Sequence, residues 1–376
     1  MEVLDMSTMQ DSFATRGFLP AQDPLTHFDP ESKFSLLDEV GRDLPSRLLE
    51  PDFRRFAELL TIPDWPDEHL SVDTLPELRL YFVRLAFLAS AYVNQVGQPA
   101  ISSLPANLAV PLTRVANLLS VPPILNYAGY ALYNWKRYDK KQGVVLGNID
   151  TIQNFVHLYD EHWFILIHVE IEAQASVILA AVEALHAENS SAGKISEEMV
   201  NTQLQLIAAC LVQLLRVLKR IPERMSPHLY FKVFRPYIRF FEKVKFLGVK
   251  QQPMNYRGET GAQSSIMPVL VSLLKIEHEQ SILVDHLQEI RQHMPPQHRL
   301  FIENTSYLPD LKPDAEPRLF DQVLELIAQF REVHFEWAQE YIHKHVKDDR
   351  GTGGTPFMRW LKQLIDETRE RKHYKG

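Results

Sequence analysis

From about residue 30 onward, apolar residues recur at spacings of three and four, and this periodicity constrains the fold more than any other feature of the chain. In the stretch 75–96 the repeat runs through Leu78, Leu80, Val83, Leu85 and Leu88. Alternating β-branched runs bounded by Asn-Gly or Asp-Gly turns are scarce, and no internal repeat is found. The pattern predicts an all-α protein. With 376 residues, 45% of them hydrophobic, the chain can bury a sizeable core and is long enough for two domains. Residues 1–30, with Pro20, Pro24 and Pro30, are expected to form a loosely ordered lead-in. Residues 31–145 then form a smaller, mostly helical domain and residues 146–376 a large helical one, divided near Gly143–Gly147. The irregular stretch Gln251–Ser265 is long for a compact helical domain, and such loops often carry function.

The formal charge of -8 and a pI near 6.0 argue against a nucleic-acid groove, which needs clustered Lys and Arg. The single cysteine, Cys210, excludes an intramolecular disulfide and any multi-cysteine metal site, and its apolar setting marks it as core filler. The opening residues Met1–Ser12 lack the basic and apolar regions of a signal peptide. No run reads as a membrane span of ~18 consecutive apolar residues. The expectation is a cytoplasmic monomer with no membrane partner.

Two histidines lie on apolar helix faces. In the predicted helix 320–345 the stripe Phe320, Val323, Leu324, Ile327, Phe330, Trp337 and Tyr341 includes His334. A neutral imidazole projecting from a rigid helix into an apolar pocket is the arrangement a haem iron requires. Arg331, one turn earlier, lies on roughly the same side and could reach a haem propionate. A core histidine with a satisfied hydrogen bond fits the same spacing. In the segment 163–176, Phe164, Ile167, His168, Ile171 and Ala175 share one face, and Phe164 and His168 point into the same space. Core packing again is the alternative. His343 with His345, and His293 with His298, lack the spacing of a helical zinc pair and read as solvated surface residues.

Two further features suggest anion binding. The loop Gly351–Thr355, GTGGT, precedes a helix, and its glycines allow close backbone approach to a ligand. It lacks the Gly-Lys-Ser/Thr ending of a phosphate loop and has no strand before it, so a flexible linker remains open. Arg235 sits among Tyr230, Phe231, Phe234, Tyr237, Phe240 and Phe241. Such an arginine can hold a carboxylate while rings pack on an aromatic ligand, or can simply snorkel above core aromatics.

Seven segments together carry a resemblance: LAVPLTRVANLLSVPPILNYAGYALYNW (108–135), the helix with Phe164 and His168, FKVFRPYI (231–238), GAQSSI (261–266), MPPQHRLF (294–301), FREVHFEWAQEYI (330–342) and GTGGT (351–355). In this order they resemble the indoleamine 2,3-dioxygenase family of haem proteins, over roughly residues 100–365. The resemblance implies an all-helical fold with a smaller N-terminal domain and a larger haem-binding domain. It implies haem b with His334 as the proximal iron ligand and Arg235 as the clamp for the substrate carboxylate. Tyr127, Tyr130, Phe164 and Phe231 would wall the aromatic pocket. Thr260, Gly261, Thr352 and Gly353 would border the substrate ammonium and the haem. The substrates implied are an indole, tryptophan above all, and O₂.

The chain also departs from the family's pattern. His168 stands where the mammalian members carry a small hydroxyl residue, and YDEHWFILIH resembles instead the sister family, tryptophan 2,3-dioxygenase. Glu259 replaces a usual glycine and Val271 an acidic residue. A carboxylate at 259 would favour a cationic substrate or displace an anionic one. The leading expectation is cleavage of the indole C2–C3 bond of L-tryptophan to N-formylkynurenine, with His168 meeting the indole N–H. Haem-dependent monooxygenation of a related indole, and non-catalytic haem or O₂ binding, are the alternatives.

Overall fold

The computed structural model describes residues 13–66, 71–250, 252–279, 282–345 and 357–374. Its longer helices are α1 (Ser35–Arg47), α2 (Leu75–Val93), α3 (Ala106–Leu118), α4 (Tyr159–Gln174), α5 (Ser176–Ala192), α6 (Glu197–Leu218), α7 (Ile266–Leu273), α8 (Ile282–Arg291), α9 (Pro296–Ser306), α10 (Pro317–Tyr341) and α11 (Phe357–Glu370). Pro317 starts α10, and the Glu316 carboxylate accepts hydrogen bonds from the amides of Arg318 (3.1 Å) and Leu319 (2.6 Å), which would otherwise lack partners. Ser196 caps α6 in the same way. Gly193, at φ 71°, ends α5 in the left-handed conformation that side chains disfavour.

Strands are short. β1 (Ser103–Leu104) pairs in parallel with β4 (Phe241–Phe246), which pairs antiparallel with β5 (Met254–Tyr256). β2 (Trp135–Arg137) and β3 (Ile149–Thr151) form an antiparallel hairpin. Its loop contains Gly143–Gly147, the expected domain boundary. Asn148 closes that loop, donating to the carbonyls of Asp139 (3.0 Å) and Gly143 (2.9 Å).

The apolar side chains gather in two clusters that do not divide at residue 145. One draws on residues 19–169 and takes back Tyr237, Ile238, Phe241, Val244 and Phe246 from the β4 region. The other runs from Trp163 to Tyr341 and includes Phe13 and Phe18. α4 is the wall between them, with Ile165, Leu166 and Val169 facing the first cluster and Trp163, Ile167 and Ile171 the second. A helix buried on both sides must be apolar all round. The run Tyr159–Ala192, α4 with α5, accordingly has the length and hydropathy of a membrane span, where the sequence is read above as holding none, and 67% of its most apolar window is buried inside the protein.

Residues 13–30 are not a loose lead-in. Phe18, Leu19 and Phe28 are each 1% exposed, and Phe13 packs edge-on against Phe18 and Phe301. Three aromatic rings anchor this strap in spite of its prolines. His293 and His298 are likewise buried rather than solvated: His293, just past the end of α8, keeps its Nδ1 3.3 Å from the Glu289 carbonyl, and α9 turns His298 inward, where its ring packs on Phe18 at 4.4 Å. Cys210 is buried core, with its thiol pushed up to about 12 by desolvation.

Candidate active site

Periodicity alone brings His334 and His168 to the inner faces of α10 and α4. The fold then turns both faces onto one cavity of about 180 Å³. Its other walls come from Tyr127, the loop Gly261–Ser264, α7 through Ile266, Met267 and Val271, and the inner faces of α8 and α11. Protein encloses His334, and burial pushes its imidazole down to about 4, yet its surface stays exposed because it faces the void. The ring is therefore neutral near pH 7, the state that can ligate a metal.

His168 is held differently. Its Nδ1 lies 2.7 Å from the Phe164 carbonyl, which can only accept, so Nδ1 carries the hydrogen and Nε2 is left as an acceptor. Nε2 points toward Gly261, where a Cβ would lie 3.9 Å away, so the small residue there keeps space in front of the nitrogen. Burial lowers the His168 pKa as well.

Behind His168, one turn further along α4, Glu172 is fully buried. Its Oε1 accepts from the Tyr127 hydroxyl (2.8 Å) and the Ser264 hydroxyl (2.6 Å), while Oε2 has no partner. Desolvation raises its carboxyl to about 7. Gln263 fixes the same loop, donating to the Gly258 carbonyl (2.9 Å) and accepting from the Tyr127 amide (2.8 Å). Gly258 cannot be larger, since a Cβ there would meet the Ile238 carbonyl at 2.4 Å.

The other expected residues form an adjoining layer rather than the wall of this cavity. Phe164 separates the two, with its ring 4.7 Å from His168 on one side and 5.4 Å from Tyr230 on the other. Beyond it, Arg235 is 5% exposed, lies 5.2 Å from the Phe231 ring centre and hydrogen-bonds Tyr230. Phe231 stacks on His345. Tyr130 packs 6.2 Å from Phe164 and donates to Glu161. Tyr130 and Phe231 both lie on single π-helical turns, Ala128–Leu132 and Tyr230–Phe234, which re-aim side chains and are frequent at functional sites. Glu259 is buried near Tyr127, Tyr130 and Tyr230, and desolvation raises its carboxyl to about 8. Thr260 caps the short turn Gly261–Gln263 from outside the cavity.

Arg331 borders the cavity, but its guanidinium donates to the Leu364 carbonyl (2.6 Å) and to the Thr368 hydroxyl, tying α10 to α11. Arg291 and His278, the latter 2.5 Å from Glu367, are further basic groups on the rim that sequence reasoning missed, as it missed Glu172 and Ser264. Glu172 had a signal: it continues the Phe164–His168 face by one more turn. Thr352 and Gly353 lie outside the described residues.

The chain matches the family model described as indoleamine 2,3-dioxygenase over residues 11–348. It belongs to the indoleamine 2,3-dioxygenase family. Among its relatives is the human indoleamine 2,3-dioxygenase 2, 28% identical over an alignment of 387 positions, gaps included, that covers 90% of this chain and 94% of the relative. The Saccharomyces cerevisiae indoleamine 2,3-dioxygenase is 27% identical, with 94% and 90% covered. The 6-hydroxytryptophan 2,3-dioxygenase fscD of Fusarium equiseti is also 27% identical, with 87% and 83% covered. Members of the indoleamine 2,3-dioxygenase family are haem-dependent dioxygenases acting on tryptophan or related indoles, and this chain is an oxidoreductase of that type.

The residues present fit a haem. His334 turns open surface onto a largely apolar cavity, and Arg291, Arg331 and His278 supply positive or hydrogen-bonding groups at its edge. Among the described residues no three His, Cys, Asp or Glu side chains converge as an ion site, so the arrangement suits a group that would bring its own ligands and take one imidazole from the protein.

Proposed function

We propose that this enzyme holds haem b through His334 and inserts both atoms of O₂ across the indole C2–C3 bond of L-tryptophan, or of a close indole analogue, to give an N-formylkynurenine. The observation that carries this reading is that His334 and the acceptor nitrogen of His168 open onto one cavity from two different helices. The haem, when bound, supplies the oxygen chemistry. The chain's own side chains bind and orient. His168 Nε2 accepts the indole N–H, and Phe164 and Tyr127 pack against the ring. Arg235, across the Phe164 ring from His168, pairs with the substrate carboxylate beside Tyr130 and Phe231. Fixing both ends of the substrate lowers the entropic part of the barrier. Excluding bulk water strengthens each of these hydrogen bonds.

Glu259 favours a second reading, an indole that carries a hydrogen-bonding ring substituent, as the name of the Fusarium relative, a 6-hydroxytryptophan 2,3-dioxygenase, describes for that protein. A carboxyl with a raised pKa can donate to such a group as well as accept from it. Turnover of tryptophan and 6-hydroxytryptophan under ¹⁸O₂ by the haem-loaded enzyme tests both readings. Two labelled oxygens in the product support dioxygenation, and the ratio of kcat/KM values chooses the substrate. Incorporation of one label would assign monooxygenation instead, and no turnover of either would leave a haem or O₂ binder.

A further inference from the structure

A second cavity, of about 270 Å³, lies between the N-terminal strap, the start of α2, Tyr133 and the start of α9. Its walls are mainly apolar: Phe13, Phe18, Leu19, Leu80 and the Tyr133 ring. Arg79 stands in this wall with its guanidinium 4.7 Å from the centre of the Tyr133 ring, and its Nε is buried without a hydrogen-bond partner. Two carboxylates border the cavity. Asp23 is already held by Arg16 (2.5 Å) and Arg137 (2.9 Å), and Asp73 is exposed at the edge and forms no ion pair with Arg79. The cavity therefore presents a cation, backed by an aromatic face, that no carboxylate among the described residues pairs with.

We propose that this cavity is a binding site for a small carboxylate with an apolar body, separate from the site proposed for the indole. The carboxylate sits on the Arg79 guanidinium, whose planar fork matches it, and the apolar body packs on Phe18, Leu80 and Tyr133. The floor of the cavity connects to the active-site loop. His298 packs on Phe18 and its Nδ1 is 3.2 Å from the Ser265 hydroxyl, next in sequence to the Ser264 that bonds Glu172. An occupant touches the catalytic loop through one imidazole.

Calorimetric titration of the haem-loaded enzyme with phenylacetate and octanoate, at saturating tryptophan, tests the site. At least one of the two acids binds at a single saturable site, and phenylacetamide, of the same shape as phenylacetate but uncharged, binds at least tenfold more weakly than the acid. Arg79→Gln weakens the acids at least tenfold. Ala21→Trp, which fills the cavity from its outer edge, abolishes their binding and decides the matter if the arginine variant does not fold. Equal binding of acid and amide, binding that survives either variant, or no saturable binding of either acid overturns the proposal. Because the readout is binding and not turnover, failure of the dioxygenase reading would leave this result interpretable.

Discussion

The Tyr127 hydroxyl donates to Glu172 Oε1 across 2.8 Å, joining a residue just ahead of a π-helical turn to the buried last turn of α4. Ser264 donates to the same oxygen, so three segments of the cavity wall meet at one carboxyl group. Glu172→Ala leaves two hydroxyls without their acceptor and is expected to destabilise the protein by about 2–4 kcal/mol, read as a lowered denaturation midpoint. Glu172→Gln keeps an acceptor oxygen and should recover most of that loss. Equal stability of the alanine variant and the parent would show that the three-way contact carries no weight.

Stability should fall on both sides of mildly acidic pH. Burial raises the carboxyls of Glu172, Glu161 and Glu259 to about 7, 7 and 8. Groups raised in this way stabilise the fold below their ordinary carboxyl range, and that contribution is lost as pH rises through 7–8. Burial holds His334 at about 4 and His298 at about 3, so their contribution is complete above about 6.5 and is lost as pH falls toward those values. Thermal melts of the haem-free protein are expected to lose roughly 2–4 kcal/mol between pH 6 and pH 9. Glu259→Gln should flatten that alkaline limb, and an unchanged slope would remove Glu259 as its source.

His334→Ala is expected to abolish stoichiometric haem retention while leaving the far-ultraviolet helical signal intact. The imidazole contributes little to packing on its cavity side, so the helix should survive its loss. A variant that retains haem at one equivalent with an unaltered absorption spectrum would refute the ligand assignment.

Removing the acceptor at His168 should matter only for substrates that own an N–H. For His168→Ala, kcat/KM toward tryptophan is expected to drop about 10- to 100-fold, the size of one buried hydrogen bond. With 1-methyltryptophan, which has no indole N–H, any residual activity should be affected much less. Equal losses for both substrates would reassign His168 to packing.

Arg235→Ala should raise the tryptophan KM at least tenfold with haem content unchanged, because the deleted group meets the substrate's far end and not the iron. Arg235→Lys should recover part of the loss, as a point charge without the planar fork. An unaltered KM in both variants takes Arg235 out of the site.

The positions of His334 and His168 were legible because a 3.6-residue period converts spacing into a shared face. The aromatic character of the 230–241 segment was legible for the same local reason. Glu172 sits on the same face as His168, but its two partners are Tyr127 and Ser264, 45 and 92 residues away, and no periodicity encodes that meeting. The strap at residues 13–30 was misread because proline content describes a segment's own backbone and not the neighbours its phenylalanines find. Arg331 borders the cavity, yet its hydrogen bonds go to α11, a helix the sequence places after the glycine loop without saying where it returns.

The sequence by itself determined the helices, their caps and which face of each turns inward, since those depend on residues within a few positions of one another. Only the tertiary structure decided that two such faces share a cavity, that Phe164 stands between the His168 and Arg235 layers, and that Arg79 borders a second one. Those outcomes depend on how separate helices pack, and packing is settled by the shapes of side chains distant in sequence.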